Sequence, residues 1–415
     1  RPTTDRAIAA AELDLYLVPM VDEFQGEYIP EYAARLPYVS GFDGSAGLGV
    51  FRAKPTAEAK HVLFVDGRYS SSDTCDLRPD AVKKFLADAI DATRLLDPDP
   101  DRCLPDPALY RGRTERDLAL YDPAIPALPT AELRRRAAAI EEDARGAPGA
   151  DRILSVTTTL NRGEGESFLV HSNGFEGANR GASIWAYAET TVRGDGDRRP
   201  EDWSARGTRH LVDLPEVPPV GREAVARALA TVGSRTIDSR AMTVVVENRA
   251  AGRLVGALLG SPLSASSLQQ KRSFLEGRSG TAVGSEVLSV TDDPLLVRGF
   301  GSRLFDGEGI AARPLVLFDR GVLRNYYVDV YYGRKLGMTP TTGGASNLAW
   351  TFGTRNVEQM VAGLKDGLLI TSFIGGNSND TTGDFSFGIR GFFVKDGVRA
   401  HPVSEMNVTG SHLTL

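Results

Sequence analysis

The sequence predicts an α+β protein, an α/β N-terminal part followed by a β-rich, barrel-like C-terminal domain. Two patterns carry that prediction. Apolar residues at helical spacings of three and four alternate with short strand-like runs as far as Leu259. Beyond Gly260 the chain is mostly short strands separated by Gly-rich turns. The composition fits a folded chain, with 41% hydrophobic, 8% aromatic and 25% charged residues in 415. At roughly 150 residues per domain, two or three domains are expected.

The elements follow in order. Arg1 to Ala11 reads as a short amphipathic helix feeding an apolar strand, Leu15 to Val18, that stops at Pro19. A Gly-rich stretch, Ser40 to Gly47, precedes a second strand, Val62 to Val65, which ends at the turn signal Asp66-Gly67. Pro79 opens a helix whose apolar face is Val82, Phe85, Leu86, Ala89 and Ile90. The proline-dense stretch Pro98 to Pro129 is extended or turning, because each proline lacks a donor and disfavours helix before it. Thr130 is placed to cap the next helix, which buries Leu133, Ala137, Ile140 and Ala144 and ends at Gly146.

From Ile153 the period changes to that of strands: Ile153 to Val156, Phe168 to Val170 and Ser183 to Ala188, with turns at Gly163 to Gly165 and Asn173-Gly174. The charged segment Gly194 to Arg209 reads as a linker or exposed loop. Pro219 opens a helix through Val232, and a strand, Thr243 to Val246, runs directly into a helix from Asn248 to Leu259. One late helix is expected at Asn356 to Leu364.

Charge and cysteine content exclude several classes. With Lys+Arg 48 against Asp+Glu 54 the formal net charge is -6, so no basic patch is expected for nucleic acid or an anionic membrane. Two cysteines make no disulfide framework and point to a reducing compartment. No apolar run approaches the roughly 18–20 residues of a membrane helix, and no secretory segment opens the chain. The expectation is a cytoplasmic protein. The chain opens on Arg1, not Met, which points to missing upstream sequence.

Catalytic signatures are sparse. Among His61, His171, His210, His401 and His412 no two are three to five residues apart, so no helical zinc-ligand pair forms within this chain. Cys75 and Cys103 are too distant for a metal knuckle or redox pair. There is no Gly-x-Ser-x-Gly elbow and no Gly-x4-Gly-Lys-Ser/Thr loop. Glu164, Glu166, Asp292, Asp293, Asp380 and Asp384 read as solvated turn carboxylates. The run Tyr326 to Tyr332 is the most telling. As a strand it sets Tyr326, Val328 and Val330 on one face and Tyr327 and Tyr331 on the other, which suits a core, an interface or a peptide groove.

Two resemblances add to this reading. From about Ile153 the chain resembles the TldD/PmbA family, specifically its TldE (PmbA) branch. The matching stretches are His171-Ser172-Asn173-Gly174-Phe175-Glu176-Gly177, Ser266 to Phe274, Phe305-Asp306-Gly307-Glu308-Gly309, Gly343-Gly344-Ala345-Ser346-Asn347-Leu348, and Gly383 to Val394. The match extends back to Val65-Asp66-Gly67-Arg68-Tyr69. The first seventy residues, through Leu15 to Pro19, Glu27 to Glu31, Tyr38 to Gly47 and Phe64 to Tyr69, instead resemble the N-terminal domain of aminopeptidase P, without its catalytic pita-bread domain. Three parts follow: an aminopeptidase P-like segment over 1–69, a TldD/PmbA-type α/β domain over 62–200, and a β-rich domain over 201–415, which the resemblance would continue past Leu415.

The family resemblance implies a heterodimer acting in proteolysis and peptide maturation, in which the TldD subunit carries a His-Glu-x-x-x-His zinc motif on a helix. Aligned on Ala250-Ala251-Gly252, those positions hold Asn248, Arg249 and Arg253, and guanidinium groups do not ligate metal. Where the family has a third ligand, a cysteine, stand Gly375-Gly376-Asn377-Ser378. The resemblance therefore implies no catalytic residue, metal or cofactor in this chain, with zinc in a TldD partner and a peptide or unfolded protein as substrate. For peptide or partner contact the candidates are Tyr326, Tyr327, Tyr331, Gly343, Gly344, Ser346 and Asn347, together with Gln269, Gln270 and Lys271. Two rivals stay open: an independent peptidase of aminopeptidase P type, and a non-enzymatic peptide- or protein-binding module.

Overall fold

A computed structural model of the chain describes residues 67–414, together with the strands β1 (Leu15–Pro19), β2 (Leu48–Arg52) and β3 (Ala59–Val65). The expected helix at Arg1 to Ala11 and the Gly-rich stretch Ser40 to Gly47 lie outside the described residues. The chain divides into two units, Arg1–Arg102 and Cys103–Leu415.

In the first unit β1 pairs antiparallel with β2, and β3 pairs antiparallel with β4 (Arg68–Thr74). Helix α1 (Pro79–Arg94) starts at the expected proline and packs on the β3–β4 hairpin. Thr93, fully buried on α1, shares a 2.6 Å hydrogen bond with Ser70 Oγ, and Arg68 Nε donates to Leu96 O at 2.7 Å. These bonds fix the helix to its hairpin.

The second unit begins in extended, proline-rich chain, then forms α2 (Ala124–Ala127) and α3 (Thr130–Arg145). Pro129, not Thr130, occupies the cap position, so Thr130 makes no capping bond. Strands β5 (Ile153–Val170), β6 (Glu176–Val192) and β7 (Glu201–Thr208) form one antiparallel sheet in that order. Two expectations change here. Gly163 to Gly165 is not a turn, because β5 runs unbroken through it, with Gly165 paired to Gly181. The supposed linker contains β7, whose alternation of buried Asp202 and Ser204 with exposed Glu201 and Trp203 marks a half-buried strand. Its polar inward residues hid that pattern from a hydrophobicity reading.

Helices α3 and α4 (Val220–Ala230) cover one face of this sheet. Ile125, Ile140, Ile184, Ala186, Ala188 and Val220, all fully buried, form the core between them. The small residues let the layers approach: a Cβ on Gly221 would stand 2.4 Å from Ile140 O.

The remainder builds two further sheets. The first has the order β15-β14-β13-β8, from β8 (Thr243–Val246), β13 (Asp366–Ser378), β14 (Asp384–Lys395) and β15 (Val398–Ser411). Here β8 is parallel to β13, and α5 (Asn248–Leu259) follows β8 directly. The second has the order β11-β10-β9-β12, from β9 (Val290–Asp292), β10 (Leu315–Asp319), β11 (Val322–Leu323) and β12 (Leu348–Trp350). Short helices α6 (Ala265–Gln269), α7 (Val330–Leu336) and α8 (Val357–Ala362) fill the connections. The α+β class holds, but the sheets are open, and no closed barrel forms among the described residues.

Candidate functional site

The tyrosine run does not continue as a strand. Tyr327 makes only an isolated bridge to Ser264, and then Asp329 caps α7, its Oδ1 accepting from Tyr332 N at 2.7 Å. The helix breaks the two-residue period, so the rings do not divide between two sheet faces. Tyr326 and Tyr327 are 5% and 4% exposed and belong to the core of this region. The Tyr326 hydroxyl donates to Leu275 O at 2.5 Å. The Tyr327 hydroxyl lies beside the Asp292 carboxylate without a bond of acceptable geometry, and burial first, then Asp292, pushes its pKa up. Tyr331 is half-buried, edge-on to Tyr332 at 4.9 Å and under Lys335 Nζ at 4.5 Å.

The loop around Gly343 to Asn347 is held by residues that sequence reasoning missed. Asp292, read as a solvated turn carboxylate, is 1% exposed and accepts from Ser346 N at 2.9 Å and from Ser346 Oγ. Asp306, also buried, accepts from Thr342 Oγ1 at 2.9 Å and Gly343 N at 3.2 Å on one oxygen, and from Glu308 N and Ile310 N on the other. Arg303 closes the clamp by donating to Gly344 O and Ala345 O. Asn347 donates to Asp293 O and Ser302 Oγ while accepting from Gly301 N. Buried carboxylates that accept N–H and O–H donors from a loop hold that loop in place. Asp306 stood inside Phe-Asp-Gly-Glu-Gly, but nothing in its spacing told a buried clamp from a turn.

The structure brings the tyrosine segment, this loop and the Gln269 to Lys271 corner into one region. Tyr327 N donates to Leu263 O, Ala265 N donates to Tyr327 O, and α6 packs on α7. Gly343, Gln269, Gln270 and Lys271 are exposed, whereas Tyr326 and Tyr327 present no ring to solvent.

Helix α5 carries the other group of interest. Arg249 Nη2 donates to buried Asp202 Oδ1 at 2.6 Å, another Arg249 nitrogen donates to Trp203 O, and its guanidinium lies 3.9 Å over the Trp203 ring. Arg227 forks onto Glu247 at 2.7 and 3.0 Å, and its pKa is raised first by that bond. Arg253, one turn along α5, donates to Gly376 O at 2.8 Å and stands over Phe387. Gly376 sits at a bulge of β13 with φ +85°, where a Cβ would be 2.0 Å from Ser386 O, so only glycine fits. Positions far apart in sequence, Arg253 and the Gly375–Gly376 pair, therefore meet.

Two domain models match the chain: the PmbA/TldA metallopeptidase central domain over residues 123–232 and the PmbA/TldA metallopeptidase C-terminal domain over residues 239–415. A candidate modulator of DNA gyrase from Bacteroides thetaiotaomicron is 37% identical, with TM-score 0.81, covering 88% of this chain and 80% of its own. The chain belongs to the PmbA/TldD metallopeptidase family. Metalloprotease PmbA of Escherichia coli O157:H7 is 28% identical over 361 residues, 84% of this chain and 77% of that protein. TldE from Thermococcus kodakarensis, 20% identical with TM-score 0.70 over 89% of this chain and 84% of its own, shares the fold.

The metal in the family's name finds no fitting donor set on α5. Arg249 is committed to Asp202 and Arg253 to a backbone carbonyl, and neither guanidinium offers a lone pair. Among the described residues no cluster of three or more His, Cys, Asp or Glu is arranged to hold a metal ion. Nor is any described helix long and apolar enough to cross a membrane.

Proposed function

We propose that this PmbA/TldD-family chain is a non-catalytic, TldE-like subunit of a TldD/TldE-type metallopeptidase complex that acts in the cytoplasm on peptides or unfolded proteins. The supporting observation is the chemistry at α5. Arg253 donates to the Gly376 carbonyl at a position where a metal ligand would need a free lone pair. Zinc and the water it activates would then belong to the TldD-type partner, and this chain would contribute binding surface. Within that reading the exposed Gly343, Gln269, Gln270 and Lys271 and the half-buried Tyr331 make the contact, while Asp292, Asp306 and Arg303 hold the loop in place.

Co-expression with a TldD-type peptidase tests this. Zinc content and cleavage of an unfolded protein such as casein are measured for each chain and for the mixture. The expected result is a stable complex, with zinc in the partner and full cleavage only in the mixture. Stoichiometric zinc and cleavage by this chain alone would overturn it.

A further inference from the structure

Among the described residues of the second unit the sheet β5-β6-β7 is covered by helices on one face, and the opposite face carries an ordered row of aromatic rings. Antiparallel partners point to the same side. Trp185 is paired with Gly207, Tyr187 with Ala205, and Glu189 with Trp203, so these side chains share that face. Phe300 packs on Trp185 at 4.8 Å between centroids, and Tyr187 stacks on Trp203 at 5.8 Å and 28°. Trp185, Trp203 and Phe300 remain 44%, 40% and 44% exposed. Trp185 lies flat on the sheet because Gly207 has no side chain: a Cβ there would stand 2.5 Å from the indole. The β5 residues beside this row, Thr157, Thr159 and Asn161, are exposed hydrogen-bonding groups.

The charges on this face are uneven. Glu189 and Glu201 flank the Tyr187–Trp203 stack, and neither is in an ion pair among the described residues. Glu189 accepts from the Tyr187 hydroxyl, and the fields of both carboxylates, after burial and that bond, push the phenol's pKa up. Arg249, the cation over Trp203, is neutralised by buried Asp202. At the far end Arg209 lies over Phe300 but is turned inward, donating to the carbonyls of Ala182, Gly299 and Phe300. The β7 edge is blunted: Arg249 and Arg390 donate to the carbonyls of Trp203 and Glu201. A ligand therefore meets rings and carboxylates on the face, not open strand backbone along that stretch of edge.

We infer that this face is a docking surface for an extended peptide segment of mixed apolar and basic character, its apolar side chains on Trp185 and Phe300 and a lysine or arginine between the Tyr187–Trp203 stack and the carboxylates of Glu189 and Glu201. Rings exposed at this level attract apolar side chains, and the carboxylates of Glu189 and Glu201, beside the rings and outside any ion pair among the described residues, attract a cation. From Trp185 to Glu189 the row spans about 13 Å at ~3.3 Å per residue, the reach of roughly five extended residues. The inference rests on the peptide-binding reading proposed above and names its substrate chemistry.

The probe is an end-blocked, fluorescein-labelled heptapeptide of alternating leucine and lysine, with leucine–serine and leucine–glutamate peptides as controls. Fluorescence anisotropy with the full chain should rank leucine–lysine first and leucine–glutamate last. Two of the chain's three tryptophans lie on the platform, so binding should also shift the intrinsic emission. The double variant E189Q/E201Q, near-isosteric and able to keep the Tyr187 hydrogen bond, should weaken the leucine–lysine peptide about tenfold and leave leucine–serine binding unchanged. W185A/W203A should weaken both by at least that factor. Equal binding of the acidic peptide, or unaltered leucine–lysine binding by E189Q/E201Q, would overturn the inference. Pairing with a TldD-type peptidase, measured on the same variants, separates the two proposals. Retained pairing with insensitive peptide binding sinks the docking surface alone. Charge-sensitive peptide binding without pairing supports the surface and sinks the subunit assignment.

Discussion

Arg253 on α5 donates a 2.8 Å hydrogen bond to the carbonyl oxygen of Gly376, at the glycine bulge of β13. The bond joins a helix to a strand more than a hundred residues later, with the guanidinium 5.5 Å from the Phe387 ring. A cation placed there repels a metal ion as well as failing to ligate it. Added zinc should therefore leave the melting temperature unchanged, since a metal bound only by the native state would raise it. EDTA should be equally without effect. Elemental analysis of the isolated chain checks both. Arg253→Ala should lower stability by about 0.5–1.5 kcal/mol, the net worth of a partly exposed hydrogen bond.

Asp292 and Ser346 form the second relationship with a clear consequence. Asp292→Ala strips the half-buried Ser346 amide and hydroxyl of their acceptor, and leaving such donors unpaired costs about 1 kcal/mol, up to about 3 when water cannot reach them. The loop from Thr342 to Asn347 should open while β9 stays paired. Hydrogen exchange at the Ser346 amide should accelerate far more than exchange in β14. Equal acceleration in both would mean that Asp292 supports the whole fold, not the loop.

How far the sequence could be read depended on whether a residue's role was local. Helices α1 and α5, set by Pro79 and by the apolar spacing after Asn248, stand where their patterns placed them, because such periodicity needs no distant partner. Strand β7 was hidden because its inward positions are Asp202 and Ser204, buried through bonds to Arg249 and Glu223 from other elements. Asp292 looked like a turn residue for the same reason, its donor Ser346 lying more than fifty residues away. Strand β5 ran through glycines that usually break strands, held along its length by β6, a partner shorter by a single residue. Tyr326 and Tyr327 are core residues because the short capped helix that follows turns the chain inward.

Gly221 on α4 faces Ile140 O on α3. Gly221→Ala would place a methyl group 2.4 Å from that oxygen, and backbone cannot retreat as a side chain can. The helices must separate, at a cost of about 1–3 kcal/mol. This outweighs the ~1 kcal/mol that alanine normally gains over glycine within a helix. Urea unfolding should show a lower midpoint with an unchanged slope. A stabilised variant would mean that the α3–α4 interface is looser than this contact requires.

His412 is 4% exposed, stacked on Phe274 at 5.8 Å, with Nε2 3.1 Å from Ser378 Oγ and Nδ1 without a partner. Burial lowers its pKa below the ordinary 6.5, and the Asp380 carboxylate offsets this only in part. His171 is lowered by burial as well. In both cases the unfolded chain binds protons more readily than the folded one. The stability from neutral, buried histidine is therefore fully present above pH 6.5 and is lost as the pH falls through 6.5 toward the folded value. Each group contributes a slope of at most about 1.4 kcal/mol per pH unit. Asp76 and Glu132, held near 2 by arginine partners, act only below about pH 4.5 and leave this window clear. Urea melts between pH 7.5 and 5 should show stability falling with pH. His412→Phe, which keeps an aromatic ring beside Phe274, should flatten that fall without abolishing it, leaving the share of His171. An unchanged slope in the variant would show that His412 takes up its proton equally in the folded and unfolded states.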